Sequence, residues 1–430
     1  MQLAPANLVH ETSTSTGNGN LSTSAVNGKQ RISDAYGTGS TPNIFNYFIS
    51  NRAAAEWERG TGHMSAVGTL VRDTVKEGTN GTSAVTFSAG TKDITVDVPA
   101  AEQVVYTLRN RLTNGSFWVN QRQLSSVGDD AYCYDRWYAL TQTASIGVTF
   151  QHTIQNGWAR AIRLTQSQAS AQRFGLAQII ETRDCWDLRG SPVTLSGMAQ
   201  CSASTTLRYA ILEWTGTNDT VTSDVVNSWT NGTFTAGNFF NSTSLTVTAT
   251  GSIALTANTP TAITELTATL GSSLGNVIVM FWTDSVQAQN VTLDLGMIQL
   301  EKGTVATNFE FRPYALEERL CYRFFWRMVA GGNNYVGIAQ CYSTTQAVGF
   351  IGLPVTMFGV NPTGSKSAAS DFITFSAAGG DTTLTALTFS AGSGNAMRYD
   401  LTVASGLVAG NATILRGGNS NATLDFSADL

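Results

Sequence analysis

The runs "STSLTVTATGSIALTA" (242–257), "TAITELTATL" (261–270), "NVIVMFWTD" (276–284) and "NVTLDLGMIQLE" (290–301) set the class of the fold. Each has the length of a strand. Alternation of apolar and polar residues marks a half-buried strand, and a short unbroken apolar run between turn residues marks a fully buried one. "SPVTLSGMAQCSAS" (191–204) and "LRYAILEW" (207–214) continue the pattern upstream. Gly, Asn, Ser and Thr divide the runs at roughly 8–12-residue spacing or slightly more, the cadence of a sandwich or jelly roll. Residues 114–312 therefore read as one jelly-roll β-sandwich.

On the C-terminal side, Pro313 opens a different rhythm. Leu316, Leu320 and Phe324 recur at i, i+4 and i+8, which predicts a connecting helix within 313–330, its stripe on a core and Glu317, Glu318, Arg319 and Arg323 turned outward. Strand-like text returns after residue 330 ("TLTALTFSAG", "MRYDLTVASGL", "ATLDFSADL"), so 331–430 reads as a second β-sandwich. On the N-terminal side, Val105, Leu108 and Leu112 make a narrow stripe that predicts a short linker helix over 101–113, packed on copies of itself or on its own domain. Residues 31–100 alternate, with Asn80-Gly81 as a hairpin signal, and form a small β domain in which "NRAAAEWERG" (51–60) is turn and strand. Residues 1–30 have few large apolar side chains and read as a flexible arm that orders only against a partner. The whole is an all-β chain.

Composition agrees. Only 13% of the 430 residues are charged against a usual share of about a quarter, while there are 41 glycines and 10% aromatics. The net charge is −5 and the Lys and Arg residues are scattered, which argues against binding to nucleic acid or an anionic membrane. No basic start followed by an apolar run opens the chain, and no run approaches the roughly 18–20 apolar residues of a membrane span, so a soluble protein without a signal peptide is expected. The five cysteines (Cys133, Cys185, Cys201, Cys321, Cys341) form no CxxC pair and read as free buried thiols made in a reducing cytoplasm.

Chemistry is sparse. His10, His63 and His152 have no second His or Cys at ligand spacing, and the nucleophile-elbow, P-loop and dinucleotide fingerprints are absent, so neither metal, cofactor nor enzyme activity is expected. Glycoside cleavage needs only two carboxylates. Asp129, Asp130 and Asp135 form one group and Glu181, Asp184 and Asp187 another, but turns favour Asp in any case, and turn acids or salt bridges are the plainer reading. Of the nine tryptophans, Trp229 in "NSWTNGTF" (227–234) is the least core-like and is the candidate glycan contact.

Several stretches resemble the fibre and spike proteins of tailed-bacteriophage virions. In "AEWERGTGHMSAVGTLVRDTVKEGTNGTSAVTFSAGTKDITVDVPA" (55–100), Trp57, Glu58, Gly60, Gly62, Arg72, Phe87, Gly90, Lys92 and Pro99 sit on the pattern of a virion-docking module. "NGSFWVNQRQ" (114–123) and "YDRWYAL" (134–140), the latter holding Asp135, Arg136 and Trp137, are similar to the opening of the following sandwich, although Gln123 replaces the usual Gly. "IIETRDCWDLRGSPVTLSGMAQ" (179–200) is similar to its strand pair. "LGMIQLEKGTVATNFEFRPYALEERLCYRFF" (295–325) is similar to its close, and "LDFSADL" (424–430) resembles the terminal signature. The resemblance implies a structural virion protein made in the host cytoplasm: a homotrimer attached to tail or portal proteins by its N-terminus, with outer domains facing host-surface glycans. A head fibre, decoration or tail adaptor without a receptor role is the alternative, and a glycan depolymerase a minor one. Within the closing stretch, Phe309 and Phe311 alternate as an edge strand would, and Glu301 and Arg312 are expected to form a structural ion pair within about 4 Å.

Overall fold

A computed structural model describes residues 8–40, 43–96, 108–151, 160–359, 361–376 and 380–430. The chain divides into two compact units, 1–107 and 108–430. It is all-β as expected, and among the described residues no helix is long and apolar enough to cross a membrane.

The smaller unit is a seven-stranded sheet in the order Leu21–Ser22, Thr69–Gly78, Trp57–Ala66, Phe45–Asn51, Lys92–Val96, His10–Ser13, Ser24–Ala25. Two expectations change here. The polar N-terminal segment is built into the sheet: His10–Ser13 pairs with Lys92–Thr95, and Leu21 faces Leu70. Its order comes from backbone pairing and from Glu11, a buried carboxylate that accepts from Thr23 Oγ1 (2.9 Å) and Arg31 Nε (2.8 Å), with Val9 and Leu21 supplying the apolar anchor. Asn80-Gly81 does make a turn, with Gly81 at φ +64°, but it joins no hairpin. The strand that follows pairs with Phe45–Asn51 and His10–Ser13, whereas Thr69–Gly78 pairs with Trp57–Ala66.

The larger unit opens with the sandwich. One sheet runs Leu245–Leu255, Thr205–Trp214, Asn276–Thr283, Phe174–Ile180, Trp137–Thr141, Ala131–Tyr134. The facing sheet runs Thr261–Ala262, Pro192–Cys201, Thr292–Lys302, Ala161–Thr165, Ile146–Gln151, Ser126–Val127, and all pairs are antiparallel. The main core lies between the sheets. A second core lies where the loop between Trp214 and Leu245 packs Val225, Val226, Phe239 and Phe240 on Tyr138, Ile179, Met280 and Trp282. Both faces of that sheet are thus covered, which explains why "NVIVMFWTD" is apolar without alternation.

The expected linker helix falls partly on 101–107, outside the described residues. Residues 108–113 are not helical: Arg111 N donates to Leu300 O (2.8 Å), Asn110 Nδ2 donates to Ile298 O (2.9 Å), and Leu112 is buried in the sandwich core. The backbone donors that a helix would use internally go elsewhere: Arg109 N and Asn110 N to the Glu310 carboxylate, Arg111 N to Leu300 O and Thr113 N to Gln178 Oε1. The predicted helix at 313–330 is shorter, Tyr314–Tyr322, and Phe325–Val329 is a strand. Its buried residues are Glu317 and Cys321, with Phe324 buried just beyond its end, while Leu316 is 38% exposed. The apolar stripe holds at Phe324 and fails at Leu316, where a buried arginine, Arg312, draws the neighbouring Glu317 inward. Phe309 and Phe311 form no strand and meet edge to face at 4.9 Å.

The C-terminal block places Phe325–Val329, Thr423–Ser427 and Thr363–Lys366 in a three-stranded sheet. The remaining strands do not stack as two sheets. They close into one six-stranded barrel: Tyr335–Cys341, Gln346–Gly352, Ala396–Val403, Gly380–Ser393, Phe372–Ser376, Ala412–Gly417. Tyr399, Leu401 and Leu415 fill its interior.

Candidate functional site

The first motif group is a structural lock. Glu58 is fully buried and accepts from Tyr47 Oη (2.7 Å), Arg72 Nη1 (2.9 Å) and Val85 N (2.6 Å). Arg72 also donates from Nη1 to Val85 O (3.1 Å) and from Nη2 to Gly19 O (2.8 Å). The glycines follow from this geometry. A Cβ at Gly60 would stand 2.2 Å from Thr74 O and 2.8 Å from Tyr47 Oη, and one at Gly62 would stand 2.4 Å from Val71 O. Lys92 is buried with Nζ on Ser88 O (2.6 Å) and Gly90 O (2.9 Å), and burial lowers its pKa. Of the described docking-module residues Trp57 is the most exposed, at 37%, and is stacked on Phe48 at 6.1 Å. Pro99 lies outside the described residues.

The second group converges on the joint between sandwich and barrel. Asp135, Arg136 and Trp137 are buried. Asp135 accepts from Gln121 N (2.8 Å) and Gln121 Nε2, while burial pushes its carboxyl up to about 6. Arg136 turns between two strands at φ +71°, donates to Ile179 O and lies 3.4 Å from the Phe324 ring centroid. Trp137 Nε1 donates to Asn114 O (3.0 Å). Gln121 Nε2 also reaches Phe325 O (2.8 Å), and Arg122 lies over Phe325 (3.8 Å) and pairs with Asp429. In the sequence Gln121 and Arg122 stand out only as part of the pattern at 114–123.

The expected Glu301–Arg312 pair does not form. Glu301 accepts from Gln299 Nε2 (2.8 Å), Thr307 N (2.7 Å) and Thr307 Oγ1 (2.8 Å). Arg312 pairs with Glu310 (3.2 Å) and Glu317 (3.4 Å) and donates to Leu112 O (3.2 Å) and Asn110 O. Glu317 is buried rather than solvated, and burial raises its pKa. Two residues that pattern placed near one another are each claimed by closer partners.

The carboxylate groups separate by role. Glu181 is buried and gripped by Arg323 (2.9 Å and 3.1 Å), so it is a structural anchor. Asp129 accepts from Thr141 N (2.6 Å), while burial and the neighbouring carboxylates of Asp129 and Asp224 push Asp130 to about 6. Trp229 is partly buried, edge to face with Phe239 at 5.8 Å, and so belongs to the roof of the second core.

Among the described tryptophans the most exposed is Trp186, at 63%. It lies in "TRDCWDLRG" (182–190), where two short helical turns, Thr182–Cys185 and Trp186–Leu188, bury Cys185 and Leu188 and turn the indole between them outward. Arg189, held by Leu274 O (2.8 Å), lies 4.2 Å from its ring centroid. Asp187 pairs with Arg111 (2.7 Å), and beside them Asp184, Arg111, Asn110 and Thr113 help line a cavity of about 110 Å³. A flat apolar ring beside carboxylates and a guanidinium can stack on a sugar face and bond its hydroxyls. The signal was present in the sequence: Cys185 and Leu188 at i, i+3 leave Trp186 off the buried side. Among the described residues no group of three His, Cys, Asp or Glu could hold a metal ion.

No family profile and no curated protein matches the chain. Among solved structures it is similar to TmCBM61 in complex with β-1,4-galactotriose (10% identity, TM-score 0.27, covering 45% of this chain and 99% of that one). It is likewise similar to the enzymatically active domain of bacteriophage CBA120 tailspike protein 4 (14%, 0.28, 45% and 21%). A third similarity is to the CBM22-1–GH10 modules of Clostridium thermocellum xylanase 10B complexed with xylohexaose (13%, 0.27, 45% and 29%). At TM-scores of 0.27–0.28 these likenesses carry no argument, and the all-β fold rests on the strands described above.

Proposed function

We propose that this chain is a non-enzymatic structural protein of a tailed-phage particle, a homo-oligomeric tail fibre or spike, that docks through its smaller unit and presents its larger unit to host-surface glycans. The observation that carries the glycan part is Trp186, an exposed indole flanked by Arg189 and by the Asp184, Asp187 and Arg111 cleft. The particle part rests on the motif pattern of 55–100 and 114–325, whose residues serve as locks and joints. Particle-free affinity electrophoresis through gels cast with host-surface polysaccharide tests the first part. Retardation by the wild type and about tenfold weaker binding of Trp186→Ala, the scale of one stacked ring, are expected. Binding that survives the substitution unchanged removes Trp186 from the site. No retardation in any host polysaccharide overturns glycan binding and leaves a head fibre, decoration or adaptor. New reducing ends in the polysaccharide would make the protein a depolymerase.

A further inference from the structure

Lysine is almost never fully buried without a charged partner. Lys92, in the smaller unit, is 0% exposed, and its Nζ meets two carbonyls, Ser88 O (2.6 Å) and Gly90 O (2.9 Å), and pairs with no carboxylate among the described residues. Two carbonyls suit a neutral amine, which donates two protons and keeps a lone pair, and burial lowers the Lys92 pKa in the same direction.

Asn51 stands directly across from this amine. The register pairs Asn51 with Lys92 on neighbouring antiparallel strands, so both side chains leave the same face of the sheet. They also meet at one atom: Asn51 Nδ2 lies 3.5 Å from Ser88 O, the carbonyl that holds Lys92 Nζ. Asn51 is buried, and its partners orient the amide. Ala53 N donates to Oδ1 (3.0 Å), while Nδ2 donates to Glu56 Oε2 (2.9 Å), which also accepts from Ser88 N (2.9 Å). These bonds, the one from Asn51 foremost, hold the Glu56 carboxyl below its ordinary value and keep it ionised. Gly90, at φ +130°, brings the loop against the amide: a Cβ there would stand 2.7 Å from Asn51 Oδ1. An unprotonated amine is a nucleophile and an amide carbon its electrophile. An N–H on the amide oxygen stabilises the charge that develops there, and a carboxylate at the leaving nitrogen can carry the proton. Groups held together in a buried site react at high effective concentration.

We propose that Lys92 and Asn51 join in an intramolecular isopeptide bond, formed once per chain with Glu56 as the proton carrier. Lys92 Nζ attacks Asn51 Cγ, and the new C–N bond pushes the carbonyl electrons onto Oδ1, facing Ala53 N. Glu56 moves one proton from Nζ to Nδ2, the Cγ–Nδ2 bond breaks as the carbonyl re-forms, and ammonia leaves; no oxidant or cofactor takes part. The product ties the strand Phe45–Asn51 to the strand Lys92–Val96. The inference goes beyond the reading above and depends on neither glycan binding nor assembly.

Mass spectrometry of the full chain, purified folded and incubated at mildly alkaline pH, tests it. The expected intact mass is that of the sequence less one ammonia, and trypsin should release one branched peptide in which residues 32–52 are joined to 77–109 through Asn51 and Lys92. Lys92→Arg and Asn51→Ala should each abolish the branched peptide. Glu56→Gln, with its melting transition retained, should slow the loss of ammonia or stop it, and an unchanged rate would remove Glu56 as the proton carrier. The wild-type chain decides the matter even where a variant fails to fold. Full sequence mass after prolonged incubation overturns the proposal. So does a missing ammonia that maps to a succinimide or to a cyclised Gln2 while trypsin still cleaves after Lys92.

Discussion

Glu58 and Arg72 show what a single residue contributes. Both side chains are buried and each satisfies the other, so removing one leaves an uncompensated charge among apolar neighbours. Arg72→Leu and Glu58→Leu are each expected to cost about 3–5 kcal/mol, and the double variant less than the sum, measured by denaturant unfolding of the full chain. Asp135 gives a pH dependence. Burial pushes its carboxyl up to about 6, above the ordinary value of about 3.9, so between these values the folded chain holds a proton that the unfolded chain has released. Stability then falls as pH rises from about 4 to about 6 and levels off above. Asp130, also at about 6, adds in the same window. A shallower slope of melting temperature against pH is expected for Asp135→Asn, and an unchanged slope would remove Asp135 as a cause. The five thiols are all free and buried, and burial pushes Cys133 and Cys185 to about 12. Thiol reagents should leave the native chain unlabelled and find five sites only after denaturation.

At the scale of elements, the strand Trp57–Ala66 is shaped by what faces it. Register shifts on either side of Gly60 and Gly62 bring the neighbouring carbonyls and Tyr47 too close for any Cβ. Gly60→Ala is expected to lower unfolding stability by about 1–3 kcal/mol or more, since Thr74 O belongs to the backbone and cannot step aside; retention of wild-type stability would show that the strand relaxes. Two other elements show where pattern reading fails. Residues 108–113 carry a helical stripe, yet Arg111 N donates to Leu300 O and both Arg109 N and Asn110 N donate to the Glu310 carboxylate, and nothing in a local sequence announces partners about two hundred positions away. In the helix Tyr314–Tyr322, Leu316 and Leu320 look like the buried face, but the demand of Arg312 for a carboxylate rotates Glu317 inward.

At the scale of the whole molecule, the last residues complete the joint of the larger unit. Thr423–Ser427 is the central strand of its three-stranded sheet, Leu424 and Phe426 are buried, and Asp429 and Leu430 return to Arg122 and to Tyr132 on the sandwich. A chain ending at residue 422 is expected to lose the sharp unfolding transition of this unit, followed by tryptophan fluorescence. A transition of unaltered midpoint would show that the joint is not needed. The sequence by itself determined the all-β class, the buried thiols, the strand positions through the sandwich and the helix start at Pro313, because these follow from local periodicity, turn residues and the missing proline N–H. Tertiary structure alone decided that the terminal block closes as a barrel, that the N-terminal segment enters a sheet, that Arg312 goes to Glu310 and Glu317, and that Trp229 joins the roof of the second core. Each of those depends on which distant segment supplies a hydrogen-bond partner or covers a face, and spacing along the chain carries no record of that choice.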